Sequence, residues 1–224
     1  MIDIEQFVDS FIESIESAFG GRIWFCGLQG SRRRGENRPD SDFDMVVILD
    51  NLQISDIAAY RQVVRALPYA DLACGFLCGV ADIMAWDPTD LFHLCVDTKP
   101  ILGSLEAIWE RVDRDSIRRA AWRGACDIFH GCVHNMIYKN SSGVLGGLLK
   151  QAVFVIQQLI YLRTGSLILP LTEMLESADP LEQRIVLSAM QARDRECTPL
   201  EETSEALFAW AQKTVQAIGA RTEC

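Results

Sequence analysis

The sequence predicts an α+β fold in two parts: a small mixed β-sheet with packed helices over residues 1–103, then an all-α helical bundle over residues 104–224. Three observations carry this. Two apolar runs, Ile23 to Leu28 and Met45 to Leu49, bracket a polar, arginine-rich turn, the pattern of two buried strands around a loop. No strand pattern recurs after about residue 104. The stretch Leu145 to Leu162 is apolar nearly all round, which marks a helix buried among other helices.

The elements follow in order. Ile4, Phe7, Val8, Phe11, Ile12, Ile15 and Phe19 fall at helical spacing until Gly20-Gly21 stops them. After the two strands, Ser55-Asp56 starts a helix that Ile57 to Leu67 continue and Pro68 ends. From Leu72 to Trp86 every residue is apolar or glycine except Asp82, and alternation predicts a strand with Val80, Asp82 and Met84 on one face. A lone acid in a buried strand is costly unless paired or bound to a metal. Asp87-Pro88-Thr89-Asp90 caps a short helix, Leu91 to Val96. Ser104 to Tyr138 forms one or two helices, broken at Asn140-Ser141-Ser142-Gly143. Thr164-Gly165-Ser166 ends the apolar helix, Pro170 and Pro180 start shorter ones, and Pro199-Leu200 opens the last, with Leu207, Trp210, Ala211 and Val215 on one face.

Composition narrows the function classes. Of 224 residues, 49% are hydrophobic and 23% charged, the balance of a soluble globular chain with a sizeable core. A net charge of -10 argues against general nucleic-acid binding, because no broad basic surface can replace counterions along a phosphate backbone. Arg32, Arg33, Arg34 and Arg38 form a local positive spot suited to a small polyanion, with solvated charges as the plain alternative. Met1 to Glu16 carries acids where a signal peptide would be basic and then apolar, and no apolar run reaches the length of a membrane span. The 8 cysteines include no C-x-x-C pair and sit mostly in apolar runs, as expected of reduced thiols in a cytoplasmic protein.

The chemistry concentrates between the first two strands. Asp42 and Asp44 stand one residue apart at the start of a strand, so both project to one face. Two carboxylates so close repel unless a cation lies between them, and Mg²⁺ is the usual guest of clustered hard oxygens. Gly30 lets backbone approach an anion, Ser31 offers a hydroxyl and an amide, and Arg32 to Arg34 begin a helix whose N-terminus attracts phosphate oxygens.

The pattern Gly-Ser, ten residues, Asp-x-Asp resembles the signature of minimal nucleotidyltransferases in the DNA polymerase beta-like superfamily. Gly30-Ser31, Arg34-Gly35 and Asp42-Phe43-Asp44 match it in type and spacing, and Lys99-Pro100-Ile101-Leu102-Gly103 resembles the stretch that closes such domains. The resemblance implies Mg²⁺-dependent transfer of a nucleoside monophosphate, AMP from ATP foremost, to a hydroxyl. Gly30 and Ser31 would grip phosphates, Arg34 would add charge, and Asp42 and Asp44 would be metal ligands and catalytic. Members take a third carboxylate from a neighbouring strand; Asp82 is the candidate, with Asp87 and Asp71 as alternatives.

The two-part layout resembles aminoglycoside nucleotidyltransferases, in which a lysine on a helix of the second domain faces the triphosphate. Lys150, the only charged residue between Lys139 and Arg163, is the candidate for that role; otherwise its stem snorkels to the surface. The expected partners are a nucleoside triphosphate donor, ATP first, and a small-molecule or protein acceptor, with no membrane and with a homodimer left open. Two readings compete. One is a non-catalytic nucleotide-binding or antitoxin-like module. The other is a nucleotidyltransferase fused to a HEPN ribonuclease, because Arg123 and His130, with six residues between them, loosely resemble that family's Arg and His element.

Overall fold

The computed structural model describes residues 4–196 and 198–220. The chain divides into two compact units, the first ending at Val112 and the second beginning at Asp113.

The first unit is built on a sheet. Helix α1 (Ile4–Phe19) buries Phe7, Phe11, Ile15 and Phe19, residues four apart that make one face. Strand β1 (Ile23–Gln29), the short helix α2 (Gly30–Arg34) and strand β2 (Phe43–Leu49) follow, then helix α3 (Ile54–Ala66), strand β3 (Ala73–Gly79), helices α4 (Val80–Ala85) and α5 (Leu91–Val96), strand β4 (Thr98–Leu102) and helix α6 (Glu106–Trp109). The sheet order is β3-β2-β1-β4. Strand β1 runs antiparallel to β2 and β4, and β2 runs parallel to β3 because α3 carries the chain back along the sheet. Pro100 is tolerated because β4 is an edge strand.

Alternation along β2 separates two cores. Phe43, Met45, Val47 and Leu49 face α1 and α3, packing with Phe7, Phe11 and Ile15. Val46 and Ile48 face the other side, with Phe25, Ile83, Leu91, Leu105 and Ile108. Asp44 shares the parity of Val46, so it projects on that second side. Leu105 and Ile108 belong to this second core, which is why the first unit continues past Gly103 to Val112.

An ion cluster pins the end of the sheet opposite the phosphate-type turn. Arg22 donates to both carboxylate oxygens of Asp56 at 2.9 Å, to Asp50 at 3.2 Å and to the Asn51 carbonyl at 2.6 Å. The bidentate bond from Arg22, with the Gln53 amide, holds the Asp56 carboxyl down to about 2, below its ordinary 3.8. A depressed carboxyl contributes stability that is complete above the unfolded value and is lost as pH falls toward the folded one. Asp56→Asn should therefore lower the melting temperature at neutral pH and flatten the acid limb of the stability curve between about pH 4 and pH 2. Equal acid limbs for variant and wild type would show that the cluster contributes nothing.

The second unit is all helical among the described residues. Helices α7 (Arg114–His134), α8 (Ser142–Thr164), α9 (Leu171–Ser177), α10 (Pro180–Arg193) and α11 (Leu200–Gly219) surround a single core. A π turn, Asn135–Lys139, follows α7. Helix α8 is central, burying Leu145, Leu149, Ala152, Ile156 and Ile160. Gly124 and Gly131 let α7 lie close to it: a Cβ at Gly124 would stand 2.6 Å from Val155, and one at Gly131 would stand 2.7 Å from Leu148. Helix α8 is also, by length and composition, apolar enough to cross a membrane, the one such helix among the described residues. Its apolar side chains are the core of this unit.

The six described cysteines, at 26, 74, 78, 95, 126 and 132, are free thiols. Burial pushes Cys26, Cys78 and Cys95 up to about 12, so they are poor nucleophiles. Cys74 is the exposed one. Cys197 and Cys224 lie outside the described residues.

Candidate active site

The turn between β1 and β2 is shaped by one backbone position. Gly30 has φ +80°, a left-handed conformation that a side chain would strain. A Cβ there would also stand 2.2 Å from Oδ2 of Asp44. The missing side chain is what lets the Asp44 carboxylate reach the turn. The register brings this about, since Gln29, the last residue of β1, pairs with Asp44. Asp42 directly precedes β2 and is exposed. Ser31 follows Gly30 in the first turn of α2, and among the described residues its hydroxyl has no hydrogen-bond partner. Gly30, Ser31, Asp42 and Asp44 thus gather at one end of the sheet.

Arg32 holds this arrangement from behind. Its guanidinium donates to the Ser41 carbonyl at 2.6 and 3.1 Å and to the Asp42 carbonyl at 3.2 Å. It also lies 3.8 Å over the ring of Phe43, which stacks on Phe7 at 3.7 Å. Only 4% of Arg32 is exposed. Burial lowers its pKa, against the raising effect of the Asp42 and Asp44 charges, and an arginine stays cationic through such a shift. It is neither a solvated charge nor a phosphate ligand. It ties α2 to the segment that carries both carboxylates, a role the sequence alone did not reveal.

The other arginines divide in the same way. Arg34 pairs with Glu36 at 3.0 Å and with Asp97. Burial lowers its pKa, but the bonds it donates to Asp97 and Glu36 outweigh that and leave it raised. Asp97 is itself buried, and burial pushes its carboxyl up, opposed by Arg34, Arg33 and the Gly30 amide. This pair fastens the turn to the end of α5. Arg38 pairs with exposed Asp40 at 3.5 Å. Arg33 is the member of the cluster whose guanidinium makes no hydrogen bond or ion pair with the described residues.

Residues 9–69, which hold most of α1, the strands β1 and β2 with this turn, and α3, match the family model described as the nucleotidyltransferase domain. The N-terminal unit is a nucleotidyltransferase domain. The chain is also similar to the solved structure of a spectinomycin adenyltransferase, AAD(9), from Enterococcus faecialis with ATP and spectinomycin. That likeness has a TM-score of 0.64 at 12% identity, covers 96% of this chain and 100% of the other, and is a likeness of fold. No curated protein matches the chain. These findings agree with the resemblance in the sequence: a nucleotidyltransferase domain at residues 9–69, and an α+β fold with a helical C-terminal part that the adenyltransferase shares.

Within the nucleotidyltransferase domain one placement differs from expectation. Asp82 is not on a strand. Strand β3 ends at Gly79, and Asp82 is the third residue of α4, exposed, accepting a hydrogen bond from the Gly79 amide at 3.0 Å. The parallel register runs from Phe43 beside Ala73 to Leu49 beside Gly79, so Asp82 follows the far end of β3. At about 3.3 Å per residue, Gly79, to which it is bonded, lies roughly 17 Å along the sheet from Asp44. Asp82 therefore does not join Asp42 and Asp44. Its acid group is accounted for by capping a helix, not by a metal.

Asp87 is likewise a cap, accepting from the Thr89 amide at 3.0 Å, and Asp71 is exposed just before β3. The residue paired with Asp44 on β3 is Cys74. Among the described residues no group of three or more His, Cys, Asp or Glu side chains is placed to hold a metal ion. In the helical unit, Lys150 is exposed on α8. Arg123 and His130 are both exposed on α7, where the rings of His130, His134 and Tyr138 follow one another at 6.3 and 5.0 Å.

Proposed function

We propose that this nucleotidyltransferase moves AMP from ATP to a hydroxyl of a small, cationic, polyhydroxylated acceptor, with Mg²⁺ as cofactor. The observation that supports it most is the convergence of Asp44 on the Gly30-Ser31 turn. Two carboxylates suit Mg²⁺, which is commonly held by one or two carboxylates together with substrate phosphates. Asp42 and Asp44 would be its ligands, and when bound it would neutralise charge on the triphosphate and on departing pyrophosphate.

The chain's own groups do the rest. The Ser31 amide and hydroxyl bind phosphate oxygens, with no Cβ at position 30 to hold them off. Arg32 keeps Asp42 and Asp44 at that turn. The acceptor oxygen bonds to the α-phosphorus as the bond to the β-phosphate bridge breaks; pyrophosphate leaves, and the hydroxyl proton passes to a general base. Lys150 is kept as the helical unit's candidate phosphate ligand. A net charge of -10 favours a cationic acceptor, and the similar adenyltransferase was solved with spectinomycin.

The test is incubation with α-labelled ATP, Mg²⁺ and a panel of aminocyclitols and aminoglycosides that includes spectinomycin. The expected result is label on a small acceptor with pyrophosphate released. Label on protein would move the acceptor to a protein hydroxyl, and no transfer from ATP, GTP, CTP or UTP would reject the proposal.

The arginines give a second prediction. Arg33→Ala should weaken ATP binding several-fold with little change in melting temperature. Arg34→Ala should lower the melting temperature, because it leaves buried Asp97 without its partner. Reversed effects, measured by calorimetric titration and thermal melts, would exchange the two roles.

A further inference from the structure

The helical unit contains a cavity of about 290 Å³ that includes none of the proposed nucleotide ligands. That size is near the lower end of small-molecule pockets. It lies where α7 begins, α8 ends, α10 begins and α11 ends. Its floor is apolar: Leu159, Leu162, Trp210 and Ile218 line it, and Trp210 is only 1% exposed. Its rim is charged, with Arg114, Arg118, Arg163 and Lys213 facing two carboxylates, Asp179 and Glu182. Within a chain of net charge -10 this lining has an excess of two positive charges.

The hydrogen bonds decide which charge the cavity favours. Both carboxylates are spent. Asp179 caps α10, accepting from the Leu181 amide at 3.0 Å and the Glu182 amide at 2.9 Å, and its other oxygen accepts from Lys213 at 3.1 Å. Glu182 accepts from both terminal nitrogens of Arg163 at 2.7 and 2.8 Å and from the Asp179 amide at 2.9 Å. Arg163 is committed to Glu182 and to the Ser177 carbonyl, but the other three cations are not spent. Arg114 gives one nitrogen to the Leu162 carbonyl, Arg118 gives one to Asp115, and Lys213 gives one proton to Asp179. A guanidinium has five N–H donors and an ammonium three. The rim therefore has donors in surplus and its carboxylate acceptors occupied.

We propose that this cavity binds a small organic anion, with an apolar ring seated on Leu159, Leu162 and Trp210 and a carboxylate or sulfonate head held by Arg114, Arg118 and Lys213. A cation finds no open carboxylate there. A neutral ring gains the floor but leaves the donors of the rim unused. The site does not depend on the nucleotidyl-transfer proposal, and its test does not involve nucleotide.

The probe is anilinonaphthalene sulfonate, followed by fluorescence, with phenylnaphthylamine as the neutral dye carrying the same rings. The full chain should bind the sulfonate saturably and at least tenfold more tightly than the neutral dye. The double variant Arg114→Gln, Arg118→Gln should lose tenfold or more of that affinity. Ala217→Trp should abolish binding, because Ala217 is exposed on the lining and the larger ring fills the space without altering charge. Melting temperatures within a few degrees of wild type show that a variant is folded, and if Ala217→Trp falls below that the double arginine variant decides. Equal affinity for the two dyes, no binding at all, or sulfonate affinity unchanged in the folded variants would overturn the proposal.

Discussion

Replacing Asp44 by asparagine should abolish nucleotide transfer while leaving the N-terminal unit folded. The carboxylate is the one that the register brings to the phosphate turn, and its oxygen occupies space that a side chain at Gly30 would claim. Asparagine keeps the shape but removes the charge. A metal accompanying ATP would lose one of its two anionic ligands, and the rate should fall by on the order of 10²–10³-fold or more, the scale seen when one preorganised electrostatic group is removed. In the absence of ligand the same change relieves repulsion between Asp42 and Asp44 but also removes the attraction of Asp44 to Arg32, so the melting temperature should change little. Pyrophosphate release and a thermal melt on the same preparation separate the two effects. Transfer at the wild-type rate would remove Asp44 from the site.

Gly30→Ala should be nearly as damaging, by a different route. A left-handed φ of +80° costs an alanine about 1–2 kcal/mol, and the new methyl group meets Asp44 Oδ2 at 2.2 Å. Either the turn unwinds or the carboxylate moves, and both outcomes separate Ser31 from Asp44. The expected result is a lowered melting temperature together with at least a tenfold loss of ATP affinity. The double variant Gly30→Ala, Asp44→Asn should then lose less affinity than the sum of the two single changes, because they damage one contact. Strict additivity in that cycle would mean that the two residues act independently.

Much of this was legible in the sequence because the signals were local. The spacing of Phe7, Phe11, Ile15 and Phe19 specified α1, the two apolar runs specified β1 and β2, and the Gly-Ser and Asp-x-Asp pairs fixed the turn. The stretch from Leu72 to Trp86 misled because a short apolar run has no period that separates a strand from a buried helix. Here it contains one of each, β3 and α4. The available signal was Gly79 followed three residues later by Asp82, a helix-start pattern, and that acid does accept the Gly79 amide.

The roles of the arginines were not legible for a further reason. Arg32 and Arg34 directly flank Arg33 in the sequence with the same chemistry, and what separates them is tertiary. Phe43 and the Ser41 carbonyl take the first, and Asp97, 63 residues away, takes the second. No local pattern encodes such a partner.

The most direct test of nucleotide use at the Gly30 and Asp44 turn is a calorimetric titration of ATP, with and without Mg²⁺, into wild type and Asp44→Asn. Saturable one-site binding in Mg²⁺, weakened at least tenfold both by removing Mg²⁺ and by the substitution, is the predicted result. No binding of ATP, GTP, CTP or UTP, or ATP binding unchanged in Asp44→Asn, would contradict it.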